Sequence, residues 1–404
     1  RAVTTGMKEI AFDHHAADFS ARKYELYETM RAECPVAHSS SHGGYWLLSR
    51  YEEVFAVARD DATYSSAREV VVPPTNVGKL IPLQADPPEL NFYRGLLIPY
   101  FTPAAMARIE PFVRQVVDRS IDGFIERGEA DIVAELANPV PSSTTMHLLG
   151  MDPADWHVFA DPIHAAGYSR PGSPENLAAT EQIVAFSRRL ENEVDARIAS
   201  PRGDMISGLL AAQSRDGRKT TRQEVVDLVR MVIFGGMDTV MAAVSNIFVA
   251  LGHHPELQAR LRAEPALIPT AVEEFLRYEA PVQGFARSVT RDVAICGQPI
   301  PTGDTVFMLW ASANRDEAAF GPDAGELVLD RSPNRHMTFG VGAHRCLGAP
   351  LARLELRIVL EQVFARLPDF SVDLDGVVEA DTIGIVYGRR KVPIAFTPGP
   401  RLAG

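Results

Sequence analysis

Between Thr221 and His253 runs an apolar stretch without a proline, opened by Thr221 and Glu224 at the spacing of a capping box. A helix of roughly 30 residues is about 45 Å long at 1.5 Å per residue. It must cross the molecule, and the rest of the chain must wrap around it. In its middle sit Gly235-Gly236-Met237-Asp238-Thr239. Each glycine costs on the order of 1 kcal/mol relative to alanine in a helix interior. Two readings account for that cost: something flat or small occupies the space beside the helix, or a second helix crosses closely while Asp238 pairs with a cation. Thr239 lies four residues after Gly235, so its hydroxyl can bond the Gly235 carbonyl and loosen one turn. A hydroxyl beside a carboxylate can relay protons.

A second stretch carries chemistry of its own. Apolar residues recur at helical spacing from Ala349 to Leu367, and Phe339-Gly340-Val341-Gly342-Ala343-His344-Arg345-Cys346-Leu347-Gly348 leads into them. Cys346 thereby sits at a helix N-terminus, where unpaired N–H groups and partial positive charge favour thiolate, with the N–H groups near Leu347 and Gly348 in reach of the sulfur. Gly340, Gly342 and Gly348 permit positive φ and let backbone lie flat against a large planar group such as haem. Other uses of the segment are a small buried hydrophobe or a nucleophile with His344 as base. Zinc is disfavoured, because Cys34, Cys296 and Cys346 are far apart with no CxxC pair. A dinucleotide fingerprint fails, since Arg345 stands where the third glycine belongs.

The loop resembles the haem-binding loop of the cytochrome P450 family of haem-thiolate monooxygenases, with every motif position filled. The resemblance extends over nearly the whole chain from about Tyr24. It implies a mainly α fold with a smaller β-sheet region, in a single haem-binding domain spanning 1–404. Cys346 would be the proximal ligand of haem b, iron protoporphyrin IX, its thiolate favouring O–O cleavage. Phe339 would shield the sulfur, with Gly340 and Gly348 against the cofactor. The Gly235–Thr239 turn is similar to the family's oxygen-activating helix, where Thr239 would steady dioxygen and Asp238 would link it to a proton supply. Glu274, Arg277 and Arg331 match a buried network that would hold the cysteine loop. Arg94, Arg287 and His336 would partner the haem propionates, and Leu90 departs from the pattern, which usually places histidine or another polar residue there. Pocket positions by resemblance are Met231, Phe234, Gly235, Val282, Gln283, Phe285, Ile385 and Val386, with the Val70 to Leu83 segment. Gly236–Val240 and Gly384–Val386 look similar to the camphor-hydroxylating branch, which implies a small apolar terpenoid or aromatic-like substrate.

Electrons would come from NAD(P)H through a separate ferredoxin and its reductase, because the chain has no flavin or iron–sulfur signature. A ferredoxin would dock over Cys346 on the face of Arg345, with neighbouring cations such as Arg94. Two other readings share the haem: a peroxide-driven peroxygenase or decarboxylase, and a non-catalytic haem sensor or carrier. Asp238-Thr239 disfavours both, since neither must manage proton delivery to dioxygen.

The remaining sequence narrows the setting. A net charge of -12 disfavours nucleic acid and anionic membrane as partners. Three widely spaced cysteines argue for a reducing compartment, the cytoplasm by default. No uninterrupted apolar run of about 18 residues exists, and residues 1–12 lack the apolar core of a signal peptide. A monomer without membrane insertion is expected. Helical periodicity predicts long helices over Met106–Phe124 and Ile183–Ile198. Strands are expected at Tyr45–Leu48, at Val293–Cys296 and Val306–Trp310 about a Gly/Pro turn, and as a hairpin over Ile383–Phe396. Val70–Leu83 and Gly167–Pro174 read as loops. His14-His15 and His253-His254 read as solvent-exposed.

Overall fold

A computed structural model describes residues 7–75 and 77–402. Residues 1–6 of the segment tested for a signal sequence, and Asn76 of the 70–83 segment, lie outside the described residues. The long helix spans Arg222–His253, with Thr221 as N-cap. Both arms of the capping box form: Glu224 N–H donates to Thr221 Oγ1 at 3.2 Å, and Thr221 N–H to Glu224 Oε2 at 2.7 Å. This helix is long and apolar enough to cross a membrane, but most of its apolar stretch is buried inside the fold. Helices Pro139–Leu149, His157–Tyr168, Pro174–Ala199, Ile268–Tyr278 and Ala349–Arg366 pack around it.

The apolar core divides along this helix. Val225 to Met237 join a cluster built with the Pro174–Ala199 side chains Ile183, Phe186 and Leu190. Val240 to Leu251 join a second cluster with Ile358, Val359 and Val363 of the helix that follows Cys346. The clusters part at Asp238-Thr239, where the two glycines interrupt the side-chain cover. The glycines serve different ends. A Cβ on Gly236 would stand 2.5 Å from Thr145 Oγ1, so Gly236 permits the close crossing of Pro139–Leu149. A Cβ on Gly235 would meet only Met231 Cε, at 3.5 Å, and Gly235 is exposed although it lies mid-helix. Each explanation offered for the pair therefore applies to one glycine.

The main sheet has five strands in the order Val36–Ser39, Tyr45–Leu48, Thr305–Met308, Phe285–Val289, Tyr64–Ser65. Tyr45–Leu48 lies where expected, parallel to Thr305–Met308. Two expected pairings are corrected. Val293–Ile295 turns at Cys296-Gly297, both at positive φ, onto Gln298–Ile300 rather than onto Thr305–Met308. Ile383–Phe396 is not a hairpin: Arg389–Lys391 pairs with Val378–Glu379, and Pro393–Ala395 with Glu129–Asp131 and Ser371–Val372. Alternation alone cannot reveal a partner from elsewhere in the chain. The loop expected at 167–174 is shorter, because the preceding helix continues to Tyr168. His14, His15 and His254 are also corrected: His14 is only 4% exposed, and His15 and His254 are half-buried.

Candidate active site

Cys346 sits in a turn closed by its own N–H, which donates to the Phe339 carbonyl at 2.8 Å. Gly340 (φ 65°) and Gly342 (φ 74°) take the left-handed conformation, and a Cβ on Gly342 would stand 2.8 Å from the Ala58 carbonyl oxygen. Gly348 is different. Its φ is -76°, so it caps the following helix in ordinary helical geometry and leaves open the space beside the Cys346 sulfur. The N–H groups acting on the sulfur are those of Gly348 and Ala349, one position beyond expectation. Burial raises the thiol pKa, while those N–H groups and the Arg94 and Arg353 guanidinium ions oppose it. Cys346 is nevertheless an exposed residue. An accessible sulfur among crowding atoms faces internal space. The Arg353 guanidinium lies 4.5 Å from the Phe339 ring centroid and braces it from the helix side.

The cations around this space differ from the expected set in one member. Arg94 is half-buried, without a side-chain hydrogen-bond partner among the described residues, and burial lowers its pKa. Arg287 is 5% exposed with Nη1 unpartnered, and burial lowers its pKa to about 10. His336 is engaged elsewhere: Nδ1 accepts from Thr338 N–H at 3.3 Å, so Nε2 carries the proton and donates to Glu273 at 3.0 Å. His344 is the imidazole beside Arg94 and Arg287 that keeps a nitrogen free. Its Nε2 is buried without a partner, and burial first, then Arg287 and Arg94, depresses its pKa to about 3. Its position two residues before Cys346 was a signal in the sequence, read there only as a possible base. Leu90 is fully buried and supplies packing alone.

In the middle of the long helix, the Thr239 hydroxyl donates to the Gly235 carbonyl at 2.8 Å, as the spacing predicts. Asp238 is 4% exposed, and burial raises its pKa to about 7. Its Oδ1 stands 3.4 Å from Nε2 of His164, on the crossing helix His157–Tyr168, and neither atom has a well-formed hydrogen bond. Burial lowers the His164 pKa to about 4, so a proton shared by the two rests mainly on the carboxyl. No local pattern in the sequence pointed to His164.

Glu274 and Arg277 are completely buried and joined by two parallel bonds of 2.8 and 2.7 Å. Arg331 Nε, Val328 N–H and Asn334 Nδ2 also donate to Glu274, while Arg277 caps the carbonyls of Asn314, Ala324 and Glu326. Asn314 in turn bonds Met337 N–H and the Thr338 hydroxyl, which ties the network to the start of the cysteine loop.

Of the expected pocket positions, Met231, Phe234, Phe285 and Ile385 are partly exposed, and an isolated β-bridge joins Val282 to Val386. Gln283 is corrected. Its amide is spent on Tyr27 and the Ala280 carbonyl, making it a clamp rather than a polar pocket contact. Arg345 is exposed, but Arg94 turns inward toward Cys346 and does not share its surface.

The donor set fits a haem: a soft thiolate ligand, a glycine left open in the long helix, an unpartnered buried N–H on Arg287, and the unpartnered Nε2 of His344, which becomes a donor once a carboxylate draws a proton onto it. The comparisons agree. The cytochrome P450 family model matches residues 178–383. Cytochrome P450 130 of Mycobacterium tuberculosis is 34% identical, over 97% of this chain and 99% of that protein. Cytochrome P450 monooxygenase PikC of Streptomyces venezuelae is 31% identical, over 95% and 93%. The solved structure of cytochrome P450 CYP109Q5 from Chondromyces apiculatus superposes with a TM-score of 0.85 at 30% identity, covering 96% of this chain and 98% of that one. The chain belongs to the cytochrome P450 family, an oxidoreductase family with monooxygenases among its bacterial members. Its members bind haem b through a cysteine thiolate and work with an organic substrate, O2 and redox partner proteins.

Proposed function

We propose that this protein, as one haem-binding domain over 1–404, inserts one oxygen atom from O2 into a small apolar substrate of terpenoid or aromatic-like character. The observation that carries this reading is the presence together of an accessible Cys346 and a buried, unsatisfied Asp238 next to the half-buried Thr239. Cys346 would hold the iron, and Arg94, Arg287 and His344 the propionates. When bound, haem supplies the redox chemistry that activates O2. The protein's part is protons and position. With a pKa near 7, Asp238 is protonated in about half of molecules at neutral pH, poised as an acid. His164 would receive and return that proton, and Thr239 would present its hydroxyl at the reacting face. Met231, Phe234, Val282, Phe285, Ile385 and Val386 would exclude water and hold the substrate.

Electrons would come from NAD(P)H through a ferredoxin docking at Arg345. The reading includes a monomer acting in the cytoplasm, with neither membrane insertion nor a nucleic-acid partner, in keeping with the net charge of -12. The test is turnover of a hit from an apolar compound library under labelled O2 with a surrogate ferredoxin and reductase. Label in the product and a strongly red-shifted Soret band of the reduced carbon-monoxide complex are expected, the band being lost in Cys346→His. Turnover with peroxide but not with O2 would establish the peroxygenase reading instead. A wild-type spectrum typical of histidine-ligated haem would refute both.

A further inference from the structure

We propose that His14 and His15 form a clasp that positions the two walls of the substrate pocket and thereby sets which ligands it retains. The inference rests on the pocket assignment above. Both imidazoles bond one acceptor, the Val72 carbonyl, through Nε2 at 2.6 and 3.0 Å. A carbonyl only accepts, so both rings carry the proton on Nε2 and leave Nδ1 as a lone pair. Each lone pair faces a hydroxyl: Tyr45 for His14 at 3.2 Å, and Thr382 for His15 at 2.7 Å. Thr382 Oγ1 in turn accepts from Gly384 N–H at 3.2 Å, and Ile383 N–H donates to the His14 carbonyl at 3.2 Å. Every donor and acceptor in this chain agrees with two neutral rings.

The clasp joins segments with little support of their own. Residues 70–73 belong to no helix or strand, yet Val70, Val71 and Val72 are buried. The Ala286 N–H bond to the Val70 carbonyl, at 2.8 Å, fixes one point, and the two imidazoles fix the next. On the other wall, a Cβ at Gly384 would stand 3.4 Å from His15 Cε1, so the glycine leaves the ring room to approach. Phe307 stacks on His14 at 5.5 Å and 30° and closes the far side. The titratable groups facing the pair are Asp13, His42 and Tyr45, with His42 bonded to Asp13 at 2.8 Å. Burial holds the His14 pKa down to about 3, which keeps that ring neutral through the ordinary pH range, and lowers that of His15 in the same direction.

The test compares haem-loaded wild type, His15→Leu, His15→Gln and Thr382→Val. The readouts are amide hydrogen exchange over 70–75 and 382–386, and the dissociation rates of 4-phenylimidazole and imidazole. In His15→Leu, exchange in both segments and release of 4-phenylimidazole should quicken about tenfold, the scale of one net hydrogen bond. Imidazole, too short to span the pocket, and the carbon-monoxide spectrum should be unaffected. Glutamine retains an N–H near Nε2 and should recover most of the loss. Thr382→Val should loosen 382–386 alone. Exchange and release within about twofold of wild type in His15→Leu would overturn the clasp. If His15→Leu does not fold, the same limit applied to 382–386 in Thr382→Val decides. Failure of the haem-thiolate assignment would show separately, as a wild-type spectrum without the red-shifted band, while the exchange result would stand on its own.

Discussion

Four acids are buried among the described residues, Asp238, Glu274, Asp316 and Glu355, and of these Glu274 and Asp238 sit in opposite circumstances. Glu274 has no exposed surface and accepts from Arg277, Arg331, Asn334 and the Val328 N–H. Asp238 is almost as deeply buried, but its Oδ1 has no hydrogen bond, and His164 approaches it only to 3.4 Å. A buried charge must be paired or must change its protonation state. Glu274 takes the first course and becomes part of the frame that holds the cysteine loop. Asp238 takes the second, its pKa rising to about 7, within the range where a side chain exchanges protons readily at neutral pH. Between these two, hydrogen-bond satisfaction and not depth makes the difference; Glu355, buried with Oε1 unbonded and its pKa raised to about 8, shares the protonation of Asp238 but not its place beside Thr239.

The largest effect expected from that difference is at Glu274. Glu274→Ala strands the buried Arg277 guanidinium and takes one of the two carboxylate partners of Arg331, and should cost about 3–5 kcal/mol, with loss of bound haem. Normal thermal stability with full haem content would erase the distinction. Asp238→Asn should act in the opposite direction. A carboxyl with a raised folded pKa binds more protons folded than unfolded, so its contribution is greatest below pH 3.8 and is lost as pH rises through about 7. The variant should therefore gain on the order of a few kcal/mol over wild type at pH 8 and little at pH 4. Denaturant titrations at the two pH values measure this, and equal differences at both would show that Asp238 is not proton-linked to folding.

The same contrast was only partly legible in the sequence, and the boundary follows the range of the interactions involved. Thr221 and Glu224 announce a cap because both partners lie within one turn, and Thr239 to Gly235 is likewise local. The Cys346 loop is legible because glycines and a helix start determine its backbone. Glu274 and Arg277 share a helix face, although their burial depends on carbonyls from residues 314–326. His164, by contrast, meets Asp238 only because two distant helices cross. His344 was overlooked in favour of His336, since a motif position does not say which ring keeps a free nitrogen. The 383–396 stretch was misread as a hairpin because its partners come from residues 129–131 and 371–379.

Smaller effects sharpen the functional half of the comparison. Thr239→Ala leaves Asp238 in place but removes the hydroxyl beside it. Haem and substrate should still bind, while product per NAD(P)H falls several-fold and peroxide rises. Unchanged coupling would remove Thr239 from the proton path. Arg345→Glu lies outside both acid sites and should only slow reduction by an acidic ferredoxin. The slowing should be several-fold at low salt and fade as the Debye length shrinks from about 10 Å at 0.1 M to about 3 Å at 1 M. Equal stopped-flow rates for variant and wild type at low salt would place the docking site elsewhere.

The most direct test of Asp238 as the working acid is the pH profile of kcat for coupled product formation, in wild type and in Asp238→Asn. Wild-type kcat should fall about tenfold per pH unit above roughly pH 7, as the carboxyl loses its proton, and the variant should be flat and about a hundredfold slower. A wild-type profile with no break near pH 7, or a variant matching wild type in rate and shape, would contradict the account.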